Sequence, residues 1–209
     1  MGRGRAVGYE EQRVAILAGA AQLFAQRGFP ATSMVQVAQA CGLSKATLHH
    51  YCPDKYALLA SITDTHVSKL LDMVHAVNAQ QLPADAQLRE LIRRIVFECA
   101  GEQHAHRVLT EDVKFLQPED RLRVLDKERE VVRGVAAAVQ ALRPDLAEAA
   151  MSKPLTMLLF GMINWLFTWM KPEGALRYED MARVVEDLFI AGLAAVQAPQ
   201  TQSRTSGMS

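Results

Sequence analysis

Residues 28–59 constrain the fold of this chain most strongly, because they place two short helical patterns on either side of a tight turn. In the first pattern, small and apolar residues recur at i, i+3, i+4 and i+7, and Ser33 with Gln36 forms an S-x-x-Q capping box. Gly42 can end this helix, and Ser44 can cap a second helix after it. The stretch therefore predicts a helix-turn-helix.

The second helix presents a compact polar side that suits a DNA major groove. A step of about 100° per residue puts Leu48 on the opposite, inward side. A lysine can meet a phosphate or a guanine edge, a small alanine permits close approach, and imidazoles donate to phosphates. The predicted contacts to double-stranded DNA are made or supported by Ser33, Ser44, Lys45, Ala46, Thr47, His49, His50, Tyr51 and Lys55.

Two details of this stretch bear on whether it binds nucleic acid or a metal. Asp54 is a natural N-cap for the next helix, so Lys55 would bring positive charge to free backbone N–H groups that suit a phosphate. The adjacent His49 and His50 also raise a metal hypothesis, but their directions diverge by about 100°, whereas metal-binding pairs on helices prefer i, i+4. Nucleic acid or solvent is the favoured partner of this side.

The same residues resemble the DNA-binding head of the TetR family of one-component bacterial repressors. The family pattern departs at His49, Cys52 and Tyr56, where tyrosine, phenylalanine and glutamate are usual. Val37 stands for the usual isoleucine. The matching positions are Gly28, Phe29, Thr32, Ser33, Ala38, Gly42, Leu43, Ser44, Thr47, Leu48, Tyr51, Lys55, Leu58 and Leu59.

The resemblance implies a ligand-released repressor that binds a palindromic operator as a homodimer. In the family, the last two helices pack against their symmetry mates as a four-helix bundle, which here implies residues 155–170 and 181–196. The segment from Gly161 to Leu193 is similar to members that respond to acyl-CoA thioesters. An acyl-CoA effector and a catabolic or transport operon are therefore expected.

The remaining pattern predicts an all-α protein of about nine helices. Helical spacing follows each connector, and the alternation at period two that is typical of strands does not occur. Residues 1–60 carry six Lys and Arg against three Asp and Glu, so positive charge is concentrated in the head. We predict a DNA-binding domain at 1–55, a ligand-binding and dimerisation domain at 56–197, and a disordered tail at 198–209.

The cysteines and the N-terminus indicate a cytoplasmic protein. Cys41, Cys52 and Cys99 show no paired spacing and are interpreted as reduced thiols. The N-terminus carries no apolar signal region. The most apolar segment, residues 155–170, has 16 residues where a membrane span needs about 20, so it predicts a buried helix and no membrane partner.

Unusual residues in the aliphatic stripes of the body are candidates for an effector pocket. Asn164 is the strongest, because an amide buried in an apolar helix needs a partner. Ordinary core packing is the alternative for the aromatic residues. A cationic set at Arg89, Arg93, Arg94, Arg107 and Lys114 suits either solvent or an anionic ligand. The pocket candidates are His66, Phe97, Phe160, Asn164, Trp165 and Trp169.

The sequence leaves three alternatives to a repressor. One cluster, Glu102, His104, His106, Glu111 and Asp112, would suit a metal-dependent enzyme or a metal-sensing regulator. However, H-E-x-x-H, C-x-x-C and a glycine-rich phosphate loop are absent from the sequence. A helical protein-binding adaptor is the third alternative. We predict no enzymatic activity, no catalytic residue, no cofactor and no bound metal.

Overall fold

A computed structural model describes residues 3–171 and 174–198, with side chains from residue 8 onward. The described residues contain ten α-helices, a 3-10 turn at Val113–Phe115 and no strand, which confirms the all-α prediction. The predicted tail lies outside them apart from its first residue. The helices are α1 (Arg3–Arg27), α2 (Met34–Ala40), α3 (Lys45–Tyr51), α4 (Lys55–Asn78), α5 (Ala84–Gly101), α6 (Gln103–Asp112), α7 (Pro118–Leu142), α8 (Pro144–Glu148), α9 (Ser152–Trp169) and α10 (Tyr178–Ala195).

Helices α1 to α3 form the head around the predicted turn. Ser33 and Gln36 make the reciprocal capping box of α2. Gly42 has φ +65°, a left-handed conformation that glycine adopts without strain, and it separates α2 from α3. A Cβ at Gly19 would lie 2.9 Å from Cys41 Sγ, so α2 packs closely on α1.

Helix α4 runs from the head into the body and crosses the predicted boundary at 55/56. Its N-cap is Asp54, whose Oδ1 accepts from Ala57 N at 2.8 Å. Further along, Lys127 Nζ of α7 donates to Asp64 Oδ1 at 2.7 Å. A Cβ at Gly134 would lie 2.5 Å from Val74 Cγ1, so α4 and α7 are in close contact. The boundary itself stays a prediction.

The body packs α5, α6 and α7 around α4, with α9 against α7 and α10 against α5. The predicted inward face of α5 is fully buried at Leu88, Leu91, Ile92 and Cys99. Pro118 at the first turn begins α7, with two acidic residues after it, as the sequence predicted.

The structure differs from the predictions at two helices. The five residues of α8 were not predicted, because a single turn is too short to show helical periodicity. The prediction of a buried helix at 155–170 was wrong for the single chain, since Leu158, Trp165 and Trp169 of α9 are exposed. Among the described residues, no helix is both long and apolar enough to cross a membrane.

Candidate DNA interface and effector groove

Helix α3 exposes its predicted polar side. Ser44 accepts a hydrogen bond from Thr47 N at 3.0 Å and so fixes the start of the helix. Leu48 is fully buried against the head, whereas Lys45 and Ala46 are exposed. The helix is therefore held by one side and presents the other to a partner.

Contacts around the end of α3 orient its aromatic residues. His49 Nδ1 lies 2.8 Å from the carbonyl oxygen of Pro53, so this nitrogen donates. The Tyr51 ring stacks on Tyr9 of α1 at 4.7 Å, and His50 meets the same Tyr9 ring edge-on at 6.4 Å. Sequence reasoning missed Tyr9, because nothing local in α1 signals that it reaches α3.

Lys55 occupies a different environment from the one expected. Its ammonium donates to the carbonyl oxygens of Phe29, Pro30 and Thr32 at 3.2, 3.3 and 3.3 Å. In the free protein these bonds use the three N–H donors that a phosphate would otherwise meet. Lys55 therefore braces the turn between α1 and α2, and a phosphate contact stays a prediction.

A groove of about 820 Å³ opens between α4, α6, α7 and α9. Its volume lies within the range of small-molecule sites. Most of its floor is apolar, and three polar side chains, His106, Thr110 and Asn164, also line it. The apolar lining residues are Val67, Leu70, Leu109, Leu125, Val131, Val132, Ala136, Met157 and Phe160.

Charged side chains line the rest of this groove. Three cations, Arg129, Arg133 and Lys153, line it together with Asp126 and Glu130. Arg129 pairs with Asp126 at 2.5 Å and Arg133 with Glu130 at 3.7 Å. Glu128 also lines it, and burial raises the pKa of its carboxyl despite the nearby Arg129. The groove thus combines an apolar floor with three cationic and three acidic side chains.

The structure separates the six predicted pocket residues. Phe160 and Asn164 line the groove, and His66 lies directly behind it. Phe97, Trp165 and Trp169 are exposed and are not among the described residues that line the groove. One helical position is a rotation of about 100°, which is enough to turn Trp165 away from the groove that its neighbour Asn164 faces.

A chain of polar side-chain contacts connects Asn164 of α9 to Lys69 of α4. Asn164 Oδ1 lies 3.2 Å from His106 Nε2, and His106 Nδ1 lies 3.2 Å from His66 Nε2. His66 Nδ1 lies 3.2 Å from Glu102 Oε2, and Glu102 also pairs with Lys69. The chain joins α4, the start of α6 and α9.

Burial controls the protonation of this chain. Burial and the neighbouring His66 lower the pKa of His106 to about 4, although the contact with Asn164 opposes this shift. Burial also lowers the pKa of His66 against the opposing effect of Glu102. Burial acts to raise the pKa of Glu102, but the hydrogen bonds from Lys69 and His66 and the charge of Lys69 together outweigh it, so this pKa is lowered. Both imidazoles are therefore neutral at pH 7.

The predicted acidic and histidine cluster does not converge. His104 is exposed, and Glu111 pairs with Arg107 at 2.9 Å on the surface. Of the five, only Glu102 and His106 share a network, through His66. The cationic set is likewise engaged elsewhere: Arg89 pairs with Asp85 and Asp187, and Arg93 and Arg94 pair with Glu90.

The fold and the head define a DNA-binding transcriptional regulator. Two family models match the chain: "Bacterial regulatory proteins, tetR family" over residues 16–62 and "Tetracyclin repressor-like, C-terminal domain" over residues 81–193. The chain belongs to the TetR family. This family consists of transcriptional regulators, so the protein is not an enzyme.

Relatives along most of the chain agree with this assignment. The transcriptional repressor KstR2 of Rhodococcus jostii is 23% identical over 90% of this chain and 93% of its own. A TetR-family regulator from Bordetella parapertussis has a TM-score of 0.82 and 31% identity, covering 90% of this chain and 98% of its own. AibR, solved with isovaleryl coenzyme A and operator DNA, has a TM-score of 0.73 and 26% identity over 85% and 97% of the two chains.

Proposed function

We propose that this regulator is a repressor that leaves its operator when an effector occupies the groove. The observation that carries the proposal is the course of α4, which begins beside the head at Lys55 and lines the groove at Val67 and Leu70. An effector that binds better when the heads are splayed would lower DNA affinity by its differential affinity for that state.

A second connection supports this coupling. His106 and Leu109 of α6 line the groove, and α6 continues into the 3-10 turn that ends at Phe115. The Phe115 ring stacks on Phe29 of the head at 5.5 Å, and Phe29 carries one of the carbonyls that Lys55 holds. A shift of α6 would therefore reach the head without passing through α4.

The proposed DNA interface is the exposed side of α3. Lys45, Thr47, His49, His50 and Tyr51 would contact bases and phosphates, and Ala46 would permit close approach. Ser33 and Ser44 would support this interface as helix caps, and Lys55 would keep the head in shape.

A homodimer with a palindromic operator completes the proposal. Large apolar side chains of α9 and α10 are exposed on the single chain, and a second copy would cover them. A Cβ at Gly161 or Gly192 would have open space around it, so a second chain could approach closely at both positions. Trp165, Trp169, Leu158, Val184 and Leu188 are the exposed apolar residues of this face.

The effector that we propose for the groove is an acyl-CoA thioester. The apolar floor suits an acyl chain, and Arg129, Arg133 and Lys153 suit the phosphates of the carrier. The complex of AibR with isovaleryl coenzyme A supports the same class of ligand. Such an effector is consistent with control of a catabolic or transport operon. The domain boundaries stay predictions, with a head at 1–55 and a body at 56–197. A cytoplasmic location is also a prediction.

The test is a thermal-shift screen of acyl-CoA thioesters, the corresponding free acids and unrelated lipophilic compounds, followed by a DNA-release assay. An acyl-CoA should raise the unfolding temperature and release the operator by roughly five- to 150-fold, the range of typical couplings. If an unrelated compound does both and acyl-CoAs do neither, the acyl-CoA proposal is wrong and the repressor proposal stands. If no compound changes DNA affinity, ligand release itself is wrong.

A further inference from the structure

Three buried side chains from three helices converge behind the effector groove. His66 lies on α4, Cys99 on α5 and His106 on α6. One ligating atom from each lies within 4.8 Å of the other two, and all three residues are buried. Imidazole nitrogen and thiolate sulfur are ligands that zinc prefers in proteins.

The hydrogen bonds around the two rings direct their free nitrogens toward each other. Glu102 Oε2 accepts from His66 Nδ1 at 3.2 Å, and Asn164 Oδ1 accepts from His106 Nε2 at 3.2 Å. A neutral imidazole carries one N–H, so His66 Nε2 and His106 Nδ1 are left with lone pairs. These two nitrogens lie 3.2 Å apart, where facing lone pairs repel unless a cation lies between them.

That separation matches coordination of one metal ion. With metal–nitrogen bonds of about 2.0–2.1 Å in a tetrahedral site, two nitrogens lie about 3.3–3.4 Å apart. An outer N–H given to a carboxylate or amide oxygen is also the usual arrangement around a ligating histidine, because it fixes the ring and its tautomer. Glu102 and Asn164 provide such acceptors.

We propose that His66 Nε2, Cys99 Sγ and His106 Nδ1 bind a borderline-soft divalent transition metal of the zinc type. Glu102 and Asn164 orient the two rings. On binding, the Cys99 S–H bond breaks, the proton passes to solvent and a sulfur–metal bond forms. We assign the fourth position of the tetrahedral ion to a water molecule.

Such a metal would tie α4, α5 and α6 together at one point. Its occupancy would therefore fix the position of α4 relative to the body and change the DNA affinity of the head. This coupling rests on the proposed function, whereas the metal site does not.

A competing arrangement needs no metal. If the Asn164 amide is turned so that its NH₂ donates to His106 Nε2, then His106 Nδ1–H can donate to His66 Nε2. Protons alone then complete the chain from Asn164 to Glu102. This arrangement predicts no uptake of metal at the buried site.

The experiment is a titration of the chelator-treated, fully reduced full-length protein with Co²⁺, followed by displacement with Zn²⁺. We expect one metal per chain and a sulfur-to-cobalt charge-transfer absorption. Cys99→Ser should abolish that absorption, and Glu102→Gln should weaken binding by about 10- to 100-fold, as is typical for the partner of a ligating histidine. Exposed His104→Gln and buried Cys52→Ser are the matched controls and should bind as the parent does.

X-ray absorption on the zinc-loaded parent protein keeps the test independent of the variants' folding. It should show one sulfur at about 2.3 Å and nitrogens at about 2.0–2.1 Å. No uptake at micromolar metal, or a shell without sulfur, would overturn the proposal, as would binding lost in His104→Gln and kept in Cys99→Ser. Operator affinity is then measured with and without Zn²⁺. If the protein takes up metal but its operator affinity does not change, the metal site is supported and its coupling to DNA binding is wrong.

Discussion

The ammonium of Lys55 lies 4.6 Å from the centre of the Phe29 ring and donates to the carbonyl oxygen of the same residue at 3.2 Å. The first residue of α4 thus holds the turn that connects α1 to the helix-turn-helix. A lysine at the edge of a DNA-binding head can therefore act on affinity through the shape of the head as well as through charge.

Replacement of Lys55 by alanine should weaken binding to all DNA sequences by loosening this turn. Because the lost hydrogen bonds come from a charged group that is partly exposed, we expect the free energy of unfolding to fall by about 1 kcal/mol. The slope of log affinity against log salt should change little, because the ammonium is directed at carbonyls. Anisotropy titrations over a range of salt concentrations measure this slope.

The matched variant is Lys45→Ala, whose side chain is exposed on α3. It should reduce the salt slope by about one and relax the base preference, as expected for a contact in the groove. A fall of one in the slope for Lys55→Ala as well would show that Lys55 moves to a phosphate in the complex.

Trp165 is predicted to contribute to the dimer interface and not to the effector groove. Its side chain is 67% exposed on the single chain, so Trp165→Glu should give a monomer at micromolar concentration and lose binding to a palindromic operator. Sedimentation velocity measures the change. Leu122→Glu is the control, because Leu122 of α7 is 59% exposed outside α9 and α10. Dimers that persist in Trp165→Glu would place the interface elsewhere.

Arg133 is predicted to bind the phosphates of an acyl-CoA. Arg133→Glu should weaken binding of the thioester by about tenfold or more, since a lost charge-assisted bond contributes about 1.5–3 kcal/mol. Calorimetry should show little effect on the corresponding free acid, which lacks those phosphates. Arg94→Glu changes the same charge outside the groove and should leave both affinities unaltered. Equal losses for ester and acid would contradict the phosphate contact.

Glu128 is predicted to make stability depend on pH. Its folded-state pKa is raised by burial, so its favourable contribution is fully present below the unfolded value of about 4.3 and is lost as pH rises through the folded value. Glu128→Gln should therefore raise the unfolding temperature at pH 7 and change it little at pH 4. Exposed Glu130→Gln is the control. An equal effect of Glu128→Gln at both pH values would exclude titration as the cause.

Local chemistry explains which features the sequence could predict. Ser33, Gln36 and Gly42 act within three or four residues of themselves, so the capping box, the turn and the second helix follow from spacing alone. The long apolar stripes of α4, α5 and α7 could likewise be predicted from helical periodicity without knowing which helices they pack against.

Tertiary packing decided the composition of the two sites in the body. Asn164 and Trp165 are neighbours in sequence, and only the placement of α6 and α7 determines that the first faces the groove while the second is exposed on the single chain. His66, Cys99 and His106 are ordinary helical positions until three helices bring them together, and the two histidines lie 40 positions apart in the sequence. The sequence determined the helices and the head, because these depend on contacts between near neighbours. The groove and the buried cluster depend on rotations and distances between helices, which periodicity does not contain.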